Sequence, residues 1–282
     1  IAGIGAGLYS PLATAAASSL VSDKKRGRAL GMTLGGMSMG TVVGVPLGLI
    51  VAAHAGWDGT LWLITILGLI AMIGIVIWFP NIPASPPPSL RQRLAMLANG
   101  RVTATVGITF VTGIASLGLY TYIAPILQNL DGIHSVTPYL WAWGIGGVVG
   151  SLFIGTLIDR IGRPGWIMGG ILILLALAMF SLPLSLGIPI LMFLPFFIWG
   201  AMGWASLAPQ QHVLLELQPK HGPAVVALNS SANYLGSSVG SALGGVVMVA
   251  GLTPFQLPFA AGCLVLVALL GQLVILSTKR KG

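Results

Sequence analysis

The sequence predicts an all-α polytopic membrane protein, and three observations carry that prediction. The chain is 56% hydrophobic and only 6% charged, whereas a soluble domain carries about 25% charged residues. Its apolar runs reach the roughly 20 residues that a helix needs to cross a ~30 Å hydrocarbon core. Its 13 Lys and Arg residues fall in every other gap between those runs, as they must if bases are retained on the cytoplasmic side of a chain that threads back and forth.

Nine runs follow in order. Run 1–20 ends at a gap holding Lys24, Lys25, Arg26 and Arg28. Runs 30–53 and 60–80 flank Asp58 and no base. A long gap with Arg91, Arg93 and Arg101 comes next, then runs 103–127 and 137–158 around Asp131, again without a base. Arg160 and Arg163 precede run 166–184, a base-free gap leads to run 189–211, and Lys220 precedes run 223–250. Run 254–277 leads to a tail with Lys279, Arg280 and Lys281. Each run is too long for a strand, and lipid offers no partner to open backbone groups, so each is a helix. Trp57, Trp62, Trp78 and Trp166 sit near run ends, as interface anchors do. The alternation places residue 1 on the outer side and the C-terminus in the cytoplasm.

The net charge of +8 is read as retention charge facing anionic lipid, not as a nucleic-acid surface. Cys263 is the single cysteine, which leaves no disulfide framework and no cysteine cluster for a metal. His54, His134, His212 and His221 are not spaced as metal ligands. No nucleophile triad and no phosphate-cradling loop is present, so no enzyme and no cofactor is expected.

Gly36, Gly40 and Gly44 recur as Gly236, Gly240 and Gly244, at an offset of 200. Gly5 and Pro11 recur as Gly203 and Pro209, at an offset of 198. The first three runs therefore read as a counterpart of the last three, and a counterpart of the middle three would precede residue 1. The chain starts at Ile1 within an apolar run, so the expectation is an N-terminally truncated chain that has lost about three helices. Internal repeats of this kind mark secondary transporters. The gap from Pro80 to Arg101 carries Pro83, Pro86, Pro87 and Pro88, a composition for an extended linker. Within it, 90–97 (LRQRLAML) suits a short interfacial amphipathic helix.

The strongest local motif is Gly155-Thr-Leu-Ile-Asp159-Arg160-Ile-Gly162-Arg163, where run 137–158 exits to the cytoplasm. Asp and Arg at a membrane edge satisfy each other near water, and Gly162 permits a tight turn. This pattern resembles the cytoplasmic signature loop of the major facilitator superfamily. Gly40-Thr-Val-Val-Gly44-Val-Pro46-Leu-Gly48 is similar to the fifth-helix motif of that family's proton-coupled exporters. The segments 119–125 (LYTYIAP) and 227–233 (ALNSSAN) resemble the seventh and eleventh helices of its arabinose-efflux-type permeases. The resemblance covers the whole chain as family helices four to twelve. It implies a major-facilitator-type bundle with about nine of twelve helices visible. The expected divisions are 1–80 as the remainder of an N-terminal bundle, 81–101 as a cytoplasmic linker and 102–282 as a C-terminal six-helix bundle.

What the resemblance implies about sites is equally specific. Gly155, Asp159, Arg160, Gly162 and Arg163 form a gate. Asp159 would face a helix N-terminus in the opposite bundle, near Arg28 to Met32, and the alternative is a static loop salt bridge. Gly40, Gly44, Pro46 and Gly48 serve helix bending or close packing. Substrate contacts are expected from Tyr9, Ser10, Thr112, Ser116, Tyr120, Trp199 and Trp204. Asn229 and Asn233, four apart on one helix face, join them or bond between helices. No acidic residue lies near the centre of a run, so the proton site expected of an antiporter is not visible.

The resulting expectation is a monomeric exporter of small drug-like or sugar-like molecules in the bacterial inner membrane. It would exchange them for protons by alternating access, with the lipid bilayer and a small-molecule substrate as its partners. An uptake permease for a sugar or other nutrient is the alternative within transport. A truncated, non-transporting membrane scaffold is the alternative outside it.

Overall fold

The computed structural model describes residues 2–78, 80, 89, 91, 95–128, 136–185 and 188–278. Among them all regular structure is helical: α1 (Ala2–Ser19), α2 (Arg26–Trp78), α3 (Gly100–Tyr120), α4 (Ile123–Gln128), α5 (Thr137–Ile161), α6 (Pro164–Ser185), α7 (Pro189–Ala205), α8 (Leu207–Leu217), α9 (Gly222–Val249) and α10 (Leu257–Thr278). Most of the proline-bearing linker, much of the expected interfacial helix over 90–97, Asp131, and the bases at 279–281 lie outside the described residues.

Runs 30–53 and 60–80 are the two helical arms of α2, which meet at a kink at Gly56, whose φ of 69° and ψ of 177° are non-helical. A positive φ costs a residue without Cβ little. Thr60 Oγ1 donates to the Gly48 carbonyl at 2.9 Å. Twelve residues of straight helix would hold those groups about 18 Å apart, so α2 folds back on itself at Gly56. The arm after the bend keeps most of its apolar side chains, from Trp57 to Trp78, exposed.

Among the described residues, six segments are long and apolar enough to cross a membrane by length and hydropathy: Ile50–Trp78, Gly100–Tyr120, Thr137–Ile161, Pro164–Ser185, Ile190–Leu217 and Pro254–Thr278. α9 falls outside that set because Asn229, Asn233 and its many serines and glycines lower its mean hydropathy. Run 103–127 is split at Thr121 and Tyr122 into α3 and α4, and run 189–211 breaks at Ser206 and continues to Leu217.

The helices meet where small residues let backbones touch, as expected when lipid removes the hydrophobic drive between helices. α5 lies against α7: a methyl group on Gly146 or Gly150 would collide with the carbonyls of Phe197 or Ala201. α3 lies against α9, where Gly236 and Gly240 admit the carbonyls of Phe110 and Ile114. α2 crosses α5 through Gly27, Gly31 and Gly35, which face Gly155, Ser151 and Leu152. α1 packs on α2 and α9, and α10 covers α3 and α6. Fully buried Leu172, Leu175, Phe196 and Trp199 centre the largest apolar core.

The expected Gly40, Gly44, Pro46 and Gly48 stripe divides. α2 stays helical through it and bends later, at Gly56. Gly48 approaches Thr60, whereas no described atom lies within 4 Å of a methyl placed on Gly40 or Gly44. The side chain of Pro46 lies outside the described residues.

Candidate functional site

Two features stand out, a clamp between α5 and α2 and a cavity beside it. α5 places Gly155 and Asp159 on one face, four residues apart. The first backbone N–H groups of α2 have no partner within their own helix. Asp159 supplies one: Oδ1 accepts from the N–H of Gly27 at 2.8 Å, and Oδ2 accepts from the N–H of Arg28 at 2.9 Å. The carboxylate thus sits at the positive end of the α2 dipole. Gly155 makes the approach possible, since a methyl there would strike the Gly27 carbonyl and come within 2.8 Å of Arg28 Cα. Further along the same crossing, buried Ser38 and Ser151 share a hydroxyl–hydroxyl hydrogen bond of 3.0 Å.

The gate residues follow the sequence reading at Asp159 and depart from it at Arg160. Asp159 meets Gly27 and Arg28, at the first edge of the expected target and one residue before it, because the unpaired N–H groups are in the first turn. It does not pair with Arg160: among the described residues the ion contacts are Arg26–Asp23 and His212–Glu216. Arg160 and Arg163 are exposed. Gly162 ends α5 in the left-handed region, at φ 64°, and its N–H donates to the Ile158 carbonyl at 2.8 Å.

The cavity has a volume of about 360 Å³ and lies between α2, α3, α5, α7 and α9. Thr112, Ser116 and Tyr120 line it from α3, at helical spacing on one face, and Trp204 and Asn233 line it from α7 and α9. Five of the sequence candidates thus come together. Thr112 Oγ1 donates to its own helix at the Ile108 carbonyl, 2.8 Å away. Ser116 accepts the indole N–H of Trp199 at 2.9 Å.

The other four candidates lie elsewhere. Trp199 is fully buried behind Ser116 and is not part of the lining. Asn229 is fully buried, also off the lining, and neither of its amide atoms has a hydrogen-bond partner. Tyr9 is exposed, and Ser10 is half-buried with its carbonyl accepting from Thr14. Neither reaches the cavity lining.

Trp143 of α5 is the residue that the sequence reading missed. Its ring lies 4.4 Å from that of Tyr120 and 6.4 Å from that of Trp204, and its buried Nε1 has no partner. Among the described residues no charged side chain lines the cavity, and no group of three metal-ligating residues occurs. The site offers aromatic faces, hydroxyls, an amide and one unpaired indole donor.

The family model described as Major Facilitator Superfamily matches residues 1–241. The chain belongs to that superfamily. It is 29% identical over its whole length to the Bacillus subtilis protein named "Uncharacterized MFS-type transporter YbcL", covering 72% of it. It is 32% identical, over 83% of this chain and 59% of the relative, to a "Probable sugar efflux transporter" of Mannheimia succiniciproducens. The solved Escherichia coli fucose:proton symporter FucP shares the fold at a TM-score of 0.70 and 14% identity, over 93% of this chain and 73% of that one. The chain is thus a multi-pass membrane protein of a transporter superfamily, and its relatives include efflux-type members. In this setting the twin-bonded Asp159 joins helices that the sequence reading assigned to different bundles, and the neutral cavity lies beside that joint.

Proposed function

We propose that the protein is a secondary active exporter of small neutral or cationic organic molecules, sugar-like or drug-like, in the bacterial inner membrane. The single observation that carries this reading is the uncharged, aromatic-walled cavity, beside which the buried Trp143 Nε1 is left without a partner among the described residues. A cavity of that chemistry stacks planar or apolar substrate faces and donates one directed hydrogen bond. A strongly anionic substrate would require a buried cation that this lining lacks. The sugar-efflux relative supports the outward direction.

In this reading residues 1–80 and 102–282 rock against each other around the cavity, with the C-terminus in the cytoplasm. The Asp159 clamp closes one access state and breaks in the other. Exchange for protons supplies the energy. The test is accumulation of a labelled aldose and of a labelled neutral aromatic drug in cells producing the protein. Lower internal label than in control cells, restored by a protonophore, is expected. Higher internal label in producing cells would overturn the outward direction.

A further inference from the structure

A second cavity, of about 350 Å³, opens at the base-rich end of the bundle between α3, α6, α8 and α10. Arg101 and Arg163 line it, with Trp166, Gln210, Glu216 and Gln272. From its geometry we infer that this cavity is a binding site for a phosphate group.

Four features converge. Arg101 and Arg163 have no ion-pair partner among the described residues, and they line the cavity as two bases against the single acid Glu216. That carboxylate is turned towards His212, whose Nδ1 lies 3.5 Å from it, and its side chain is half exposed. The first turns of α3 and α6 reach the cavity at Arg101 and at Pro164 and Gly165, and they add the dipole field of two helix starts, with the Arg101 and Val102 N–H groups already held by Asn99 Oδ1. Gln210 is 2% exposed, yet its Nε2 has no hydrogen-bond partner. A buried donor left unpaired is costly, and an anionic oxygen in the cavity removes that cost. Gln272 is held in place by a 2.9 Å bond from its Nε2 to the Gly165 carbonyl, while its buried Oε1 is unpaired and can accept from a ligand hydroxyl.

Arg presents a planar fork that matches phosphate oxygens in pairs. The cavity is separate from the aromatic one: the two share no lining residue. A phosphate held here would tie α3, α6, α8 and α10 together at one end. Its source is either the headgroup of an anionic phospholipid or a soluble phosphate.

The experiment is a thermal-stability and native mass spectrometry titration of the purified protein with dihexanoyl-phosphatidylglycerol in one arm and inorganic phosphate in the other. A rise in melting temperature with a one-to-one adduct is expected in at least one arm. Adduct from the lipid alone names a headgroup site, and adduct from phosphate names a soluble anion. Arg101→Gln and Arg163→Gln should each weaken binding about tenfold, the value of one charge-assisted bond, and Gln210→Leu should weaken it as well. Lys220→Gln, which removes a base outside the cavity, should leave it unchanged. Absence of binding to the folded wild type in both arms overturns the inference. Equal weakening by Lys220→Gln does so too, because it shows diffuse charge and not a site.

Discussion

The carboxylate of Asp159 on α5 accepts the backbone N–H of Gly27 on α2 at 2.8 Å, and its second oxygen takes the next N–H, of Arg28, at 2.9 Å. A side chain 132 positions away thus caps the helix start. The bond satisfies groups that a helix always leaves open at its N-terminus, and it places a negative charge where the dipole favours one.

Asp159→Asn removes the charge and replaces one acceptor oxygen with an amide donor that opposes an N–H. The contact loses about 1–2 kcal/mol, which is enough to shift a two-state access equilibrium roughly tenfold. Initial transport rates should fall by that order while the amount of protein in the membrane stays at the wild-type level. Wild-type rates in this variant would show that the clamp takes no part in the cycle.

Gly155→Ala tests the crossing of α2 and α5. The added methyl meets backbone atoms of Gly27 and Arg28, which cannot rotate away, so overpacking should cost about 1–3 kcal/mol. Gly169 of α6 has no atom within 4 Å of the same added methyl, and Gly169→Ala should be neutral or slightly stabilising. Melting temperatures of the two variants in one detergent give the comparison.

Trp143→Phe keeps the aromatic face against Tyr120 and deletes the unpaired indole donor. Substrate KM should rise about tenfold for a ligand that accepts this bond, with little change in melting temperature. The reverse pattern, lost stability at constant KM, would assign Trp143 to packing alone.

Ser116→Ala leaves the fully buried Trp199 Nε1 without its acceptor, at a cost of about 1–3 kcal/mol. Thr112→Val should cost less, since the Thr112 hydroxyl bonds only to its own helix backbone. A melting series on the two variants separates the cross-helix bond from the local one.

The turn at Gly162 and the start-of-α2 target of Asp159 were legible because each rests on local chemistry: a left-handed cap and an open helix end. What periodicity cannot show is which of two equivalent faces is in contact. Gly27, Gly31 and Gly35 carry the same spacing as Gly36, Gly40 and Gly44, yet the first set is the one that touches α5. Depth within the bundle is equally hidden. Trp143 and Trp166 both lie close to helix starts, but the close approach of α5 to α7 buries one while the other stays exposed. Asn229 and Asn233 share a face in sequence, but successive fourth residues rotate by about 40° on a 3.6-residue helix. Asn233 lines the cavity and Asn229 does not.

The most direct measurement is flux in everted membrane vesicles, with a labelled substrate and an imposed pH gradient, acid inside. Gradient-driven uptake into everted vesicles, reduced by Asp159→Asn and with KM raised by Trp143→Phe, is the expected result. Gradient-driven uptake found only in right-side-out vesicles, or no flux that depends on the protein in either orientation, would contradict export through this cavity.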